Sequence, residues 1–199
     1  MNPSELVVDK EAFSALSGEC EKVINTRKRL PDFVFRRSFA KYFAIEHSHV
    51  FNKEFGSFLF KISNIFGDES VNYMTLDPHP VDYYYRHCSF FGLASIKPPS
   101  LVDRYVLIMS RGGEVDSFRS RGGDVGVFWG SSLKWGIFCD RISWEIAVIA
   151  VSEDIDVPTI GAFRCMDPLW LAGYIKSQYS TDPSVASGFT QRFLATYSI

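Results

Sequence analysis

Residues 124–151 read DVGVFWGSSLKWGIFCDRISWEIAVIAV, and this stretch decides the fold. It contains three strand-like runs rich in Val, Ile, Phe and Trp: Val125 to Trp129, Lys134 to Cys139 and Ser143 to Val151. Gly130-Ser131-Ser132 and Asp140-Arg141 separate them. Connections that short join antiparallel neighbours only, because a parallel pair needs a crossover of a dozen or more residues. The stretch is therefore expected to be a β-meander. In the third run Trp144, Ile146, Val148 and Ala150 face one side, and Glu145, Ala147, Ile149 and Val151 the other. Both sets are mostly apolar, so this strand is expected to be central, with helices over at least one face.

Upstream, Phe13, Leu16, Cys20, Val23 and Ile24 recur at helical spacing, which predicts a first helix over about Asp9 to Arg27 with Asp9 as N-cap. Pro31 interrupts the pattern. A second helix is predicted from His49 to Phe66, stopped by Gly67-Asp68. Val71 to Leu76 alternates like a strand and runs into Asp77-Pro78-His79-Pro80, expected to be an irregular rigid loop. From Tyr83 to Ile96 no single period holds, and a strand pair and a short helix both remain open. Pro98-Pro99-Ser100 introduces a helix through Met109, with Ser100 expected as N-cap and Gly112-Gly113 past its end. Downstream, two more helices are predicted, Pro168 to Tyr179, with Leu169, Leu171, Ala172 and Ile175 inward, and Pro183 to Tyr197. The fold class expected is α+β: a mainly antiparallel β-sheet, with the C-terminal meander as its core, packed by flanking α-helices. With 199 residues and no linker or repeat, residues 1–199 are expected to form one globular domain.

The composition is that of an ordinary globular protein, 46% hydrophobic and 22% charged. A formal net charge of -2 gives no basic excess for direct nucleic-acid binding. No run approaches the roughly 18 apolar residues of a membrane span, and Met1 to Lys10 lacks the pattern of a secretory signal. A cytoplasmic location is the expectation. Cys20, Cys88, Cys139 and Cys165 lie far apart without a CxxC pair, which predicts buried free thiols.

Several residue groups invite a chemical reading. His47 and His49, with Asp77 and His79, are the best candidates for a metal-dependent site, but no recognised ligand frame joins them. His87-Cys88 is the one adjacent thiol and imidazole, and neighbours on a strand face apart. Arg111-Gly112-Gly113 and Arg121-Gly122-Gly123 are short of any phosphate-binding fingerprint, and turns explain them better. Asp140, Arg141 and Glu145 are expected to form an ion pair that fixes a hairpin, not acid/base machinery. No catalytic residue, no metal ligand and no cofactor is therefore assigned.

Trp129-Gly130-Ser131-Ser132, Lys134-Trp135-Gly136-Ile137, Asp140-Arg141 and Trp144-Glu145-Ile146-Ala147-Val148-Ile149 together resemble a pattern in small bacterial immunity proteins encoded beside secreted toxins. The resemblance covers Asp124 to Val151. It implies stoichiometric neutralisation of a cognate protein toxin, a nuclease being one such target, without cofactor or turnover. For that role the expected binding residues are Glu153, Asp154 and Asp156, which have no basic neighbour in sequence for several residues, with Asp116 and Asp124 at the edge of the meander. Tyr83, Tyr84 and Tyr85 are the expected aromatic contacts, and Trp135 and Trp144 are expected in the core. The alternatives are an adaptor or homo-oligomeric assembly protein, and an enzyme using His47, His49, Asp77 or His79.

Overall fold

In the computed structural model, residues 5–111, 117–119, 124–156, 159–160, 165–178 and 183–197 are described. Six strands form one antiparallel sheet: β1 (Lys41–Glu46), β2 (Val71–Asp77), β3 (Leu93–Ile96), β4 (Val125–Gly130), β5 (Trp135–Asp140) and β6 (Ile146–Val151). Their order is β1-β6-β5-β4-β2-β3. The α+β class and the antiparallel sheet are as the sequence predicts. The meander β4-β5-β6 lies inside the sheet, with β1 added on one side and the β2-β3 pair on the other.

Every residue of β4, β5 and β6 is buried. The reason is that helices cover both faces. On one face lie α2 (Lys53–Phe66) and α3 (Pro98–Met109), whose Phe55, Phe58, Leu59, Leu101 and Tyr105 meet Tyr73, Phe128, Ile137 and Ile149. On the other lie α1 (Lys10–Val23), α4 (Pro168–Gln178), α5 (Pro183–Tyr197) and the segment around Val34, Phe35 and Phe39, packed on Val127, Phe138 and Val148. The alternation read from the third run holds: Ile146, Val148 and Ala150 face the α1 side, and Ala147, Ile149 and Val151 the α2 side.

The helix boundaries follow local chemistry. Asp9 caps α1 by accepting from the Ala12 N–H at 2.8 Å, as its position predicts. Asn52 caps α2 by accepting from the Phe55 N–H, so α2 begins later than His49, and Gly67 ends it with φ 67. His47–His49 instead form a 3₁₀ turn at the end of β1.

Four local expectations are corrected. Ser100 is not the cap of α3: the helix starts at Pro98, where a missing N–H costs nothing, and the Ser100 N–H already donates to the Lys97 carbonyl at 2.9 Å. The loop at Pro80 is not wholly irregular, because Pro80 opens a π-helical turn through Tyr85 that His79 caps from outside. The last meander strand begins at Ile146, not Ser143, because Glu145 takes φ 52 and turns the chain. Trp144 therefore sits before the strand, half-buried against Phe189 with ring centroids 3.7 Å apart, while Trp135 is fully buried. Gly112-Gly113 and Gly122-Gly123 lie outside the described residues.

The Gly-Ser-Ser and Trp-Gly elements of the meander have a definite structural task. Asp68, just past α2, accepts from the Ser132 N–H at 2.7 Å and from the buried Trp135 indole N–H at 2.7 Å. The Ser131 hydroxyl oxygen accepts from the Glu69 N–H at 2.9 Å. A side chain at Gly130 would collide with the Asp68 carboxylate. The hairpin β4-β5 is thus pinned to the end of α2.

Candidate interaction surface

The acidic loop leaves β6 at Val151, which pairs with Trp135 on one side and Lys41 on the other. This register decides the loop's electrostatics. Lys134 pairs with Glu153 at 3.1 Å, and Lys41 pairs with Asp154. The sequence expectation of a trio without basic neighbours is corrected here, because sheet pairing delivers two lysines that are remote along the chain. Both pairs are solvent-exposed, and each contributes about 0–1 kcal/mol at most. Asp156 remains exposed and has no ion-pair partner among the described residues.

Asp156 opens onto a cavity of about 590 Å³ beside β1. Among the described residues, Lys41 and Phe43 of β1, Ile155 of the loop, and Cys165, Met166, Asp167 and Trp170 also line it. The wall is held in place by a two-way bridge between Ala44 and Met166, each N–H donating to the other's carbonyl at 2.8 Å. Asp167 then accepts from the Trp170 N–H at 2.8 Å, which fixes the first turn of α4. Leu171, Ala172 and Ile175 go into the core, and Leu169 and Trp170 are left outside, 72% and 66% exposed. Leu169 is thereby corrected from the inward face to solvent.

The arrangement places a large exposed indole and the Asp156 and Asp167 carboxylates around one concave surface, with exposed Leu169 next to the indole in sequence. Among the described lining residues the charged ones are Asp156, Asp167 and Lys41, and Lys41 is already held by Asp154. Cys165, in the wall, has its thiol pushed up to about 12 by burial, so it stays protonated at neutral pH and is no thiolate nucleophile. Burial likewise raises the thiols of Cys20 and Cys139.

The remaining predicted contacts lie elsewhere. Tyr84 is fully buried against Phe90 and Phe118, which corrects its assignment as a surface contact. Tyr83 is half-buried, and Tyr85 is 49% exposed and stacked on Phe91 at 4.5 Å. The run follows the C-terminal end of β2, whereas the acidic loop follows β6 at the opposite end of the strands. With about 4.8 Å per strand step and about 3.3 Å per residue, the two groups are roughly 14 Å apart across the sheet and roughly 20 Å apart along it. Asp124 shares the far end, where it pairs with Arg141 at 3.9 Å. Asp116 lies outside the described residues. The eight expected contacts therefore do not form one patch.

The histidine candidates separate in the same way. His47 and His49 follow β1, whereas Asp77 ends β2 and His79 follows it, four strand steps away, or roughly 19 Å. No group of three or more His, Cys, Asp or Glu suited to a metal ion occurs among the described residues. The Asp140 hairpin carries further contacts. Asp140 accepts from the Ser143 N–H at 2.8 Å, and Arg141 reaches Asp124.

Sequence reasoning missed Trp170. The available signal is its phase: it lies off the stripe made by Leu171 and Ile175, so a helix that buries this stripe turns the indole outward. No family model, curated protein or solved structure matches the chain.

Proposed function

We propose that this chain is a binding protein that captures one basic protein partner in a stoichiometric complex, and that the partner is a toxin which the chain neutralises. The observation that carries the reading is the exposed Trp170 and Leu169 beside a carboxylate-rimmed cavity of about 590 Å³. Tryptophan is among the commonest interface hot spots, and a concave site beside it admits an anchoring side chain. Among the described lining residues Asp156 and Asp167 outnumber Lys41, which Asp154 already holds, and this favours a cationic anchor, lysine or arginine, which both the carboxylates and the indole face attract. The meander resemblance supplies the toxin. Its Gly-Ser-Ser and Trp-Gly residues pin the hairpin that sets Lys134 and the acidic loop, so they support the scaffold and do not themselves reach a partner.

The test is co-expression with the protein encoded beside this one, read by growth and by pull-down. Rescued growth with a one-to-one complex is expected, and Trp170→Ala combined with Asp156→Lys should weaken that complex by at least tenfold, the scale of about 1.4 kcal/mol. Full affinity in the double variant would discard this surface. A concentration-dependent self-association that the same variant abolishes, without any rescue of growth, would replace the reading with that of an assembly protein.

A further inference from the structure

A second cavity, of about 430 Å³, lies on the α1 side at the far end of the sheet from Trp170. Its floor is apolar: Phe13 of α1 and Met74 and Leu76 of β2, closed by Pro80 and Val81 of the π-helical turn. Its rim carries the cationic Arg27 and Arg29 and the His79 imidazole, whose Nδ1 lies 3.3 Å from the Asp82 carboxylate.

The described arginines fall into two groups, and Arg27 and Arg29 belong, with Arg37, Arg111 and Arg119, to the group without a carboxylate within 4 Å among the described residues. Arg36, Arg86, Arg104, Arg141 and Arg192 each have a carboxylate within 4 Å: Glu21, Asp82, Glu5, Asp124 and Asp32. Arg27 and Arg29 make no such close pair among the described residues, although at longer range the Arg27 charge acts on Glu21 and the Arg29 charge on Asp140. Arg29 spends one nitrogen on the Thr26 and Lys28 carbonyls, at 2.8 and 2.9 Å, which anchors its guanidinium while leaving the other nitrogens of the fork. His79 Nδ1 accepts from the Val81 and Asp82 N–H groups at 3.4 and 3.2 Å, which leaves Nε2–H as the donor of the ring. The one carboxylate in the wall, Glu21, is already held by the Arg36 guanidinium at 2.5 Å and by the Thr26 hydroxyl.

We infer that this cavity binds a small amphipathic anion, a carboxylate on an aliphatic tail of about eight carbons, with the head on Arg27 and Arg29 and the tail against Phe13, Met74 and Leu76. A guanidinium fork matches a carboxylate in a bidentate way, and the volume lies in the few-hundred-Å³ range of small-molecule sites. Charge or apolar surface alone would not demand this pairing. A free phosphate uses only the rim, and an alcohol uses only the floor.

The experiment is calorimetric titration of the full chain with octanoate, octan-1-ol, octylamine and inorganic phosphate, each kept below micelle formation. Octanoate is expected to bind at least tenfold more tightly than the other three and to shift the Leu76 methyl resonances. The Arg27→Gln/Arg29→Gln variant, whose two substitutions are on exposed side chains, should lose at least tenfold in octanoate affinity with an unchanged circular dichroism spectrum. Octanol or octylamine binding as tightly as octanoate overturns the anion recognition, and phosphate binding as tightly overturns the apolar floor. No heat with octanoate, or an unaffected double variant, overturns the site.

Discussion

Asp68 shows how much one side chain can hold. It accepts from both the Ser132 backbone N–H and the buried Trp135 indole, and an alanine there would leave that indole N–H buried without its acceptor. Asp68→Ala should cost about 3 kcal/mol in urea unfolding, a charge-assisted bond lost together with a desolvated donor. A loss below about 1 kcal/mol would mean that solvent reaches the indole. Asp140 makes a pH-dependent case. Burial raises its carboxyl above the ordinary value of 3.8, against the opposing pull of the Ser143 and Trp144 N–H groups and the Arg29 charge. The native state therefore holds this proton to higher pH than the unfolded chain does, so stability contributed here falls as pH rises from about 3.8 through the raised value. Asp140→Asn, which stays neutral, should gain relative to the parent across that window. Parallel stability curves for the two proteins would refute the assignment.

Between elements, the tightest approach is α2 on α3. A Cβ at Gly56 would stand 2.5 Å from the Leu101 carbonyl oxygen and 2.8 Å from the Tyr105 Cβ, so the two helices pass at backbone distance. Gly56→Ala should force them apart and cost roughly 2 kcal/mol, whereas Gly18→Ala, in α1 with open space around it, should gain about 0.5–1 kcal/mol from helix propensity alone. The same sign for both in thermal unfolding would contradict this packing. The helices were legible because their apolar period is long and their caps are explicit, as at Asp9 and Gly67. The turn at Pro80 was not. Its three tyrosines follow no two-residue or 3.6-residue period, and only the fold decides that Tyr84 goes into the core while Tyr85 lies outside on Phe91. β1 was equally silent, since six residues without bounding turn signals take their strand character from β6.

At the scale of the whole molecule, the meander announced a central strand with helices over at least one face, but the neighbours of that meander depend on contacts between distant segments. The candidate surface has the same origin: it exists because Ala44 bridges Met166 and because Lys41 lies opposite Val151, neither of which any spacing encodes. These additions also close the sheet's edges. β1 is covered by the Met166 bridge, and β3 by residues 5–7, through bonds from Val7 N–H to the Leu93 carbonyl at 3.0 Å and from Ser95 N–H to the Glu5 carbonyl at 2.8 Å. Covered edges suppress strand addition by other chains. They are held, however, by a few bonds each, whereas β4, β5 and β6 are buried on both faces and paired on both sides. Native-state hydrogen exchange should therefore divide the sheet. Amides of β4 and β5 should exchange only with global unfolding, and those of Ala44, Met166 and Val7 by openings several kcal/mol cheaper, of the kind that leaves a core intact. Edge amides as slow as those of Phe128 and Ile137 would mean that the bridges are part of the same cooperative unit, and that the wall beside Trp170 is as rigid as the meander behind it.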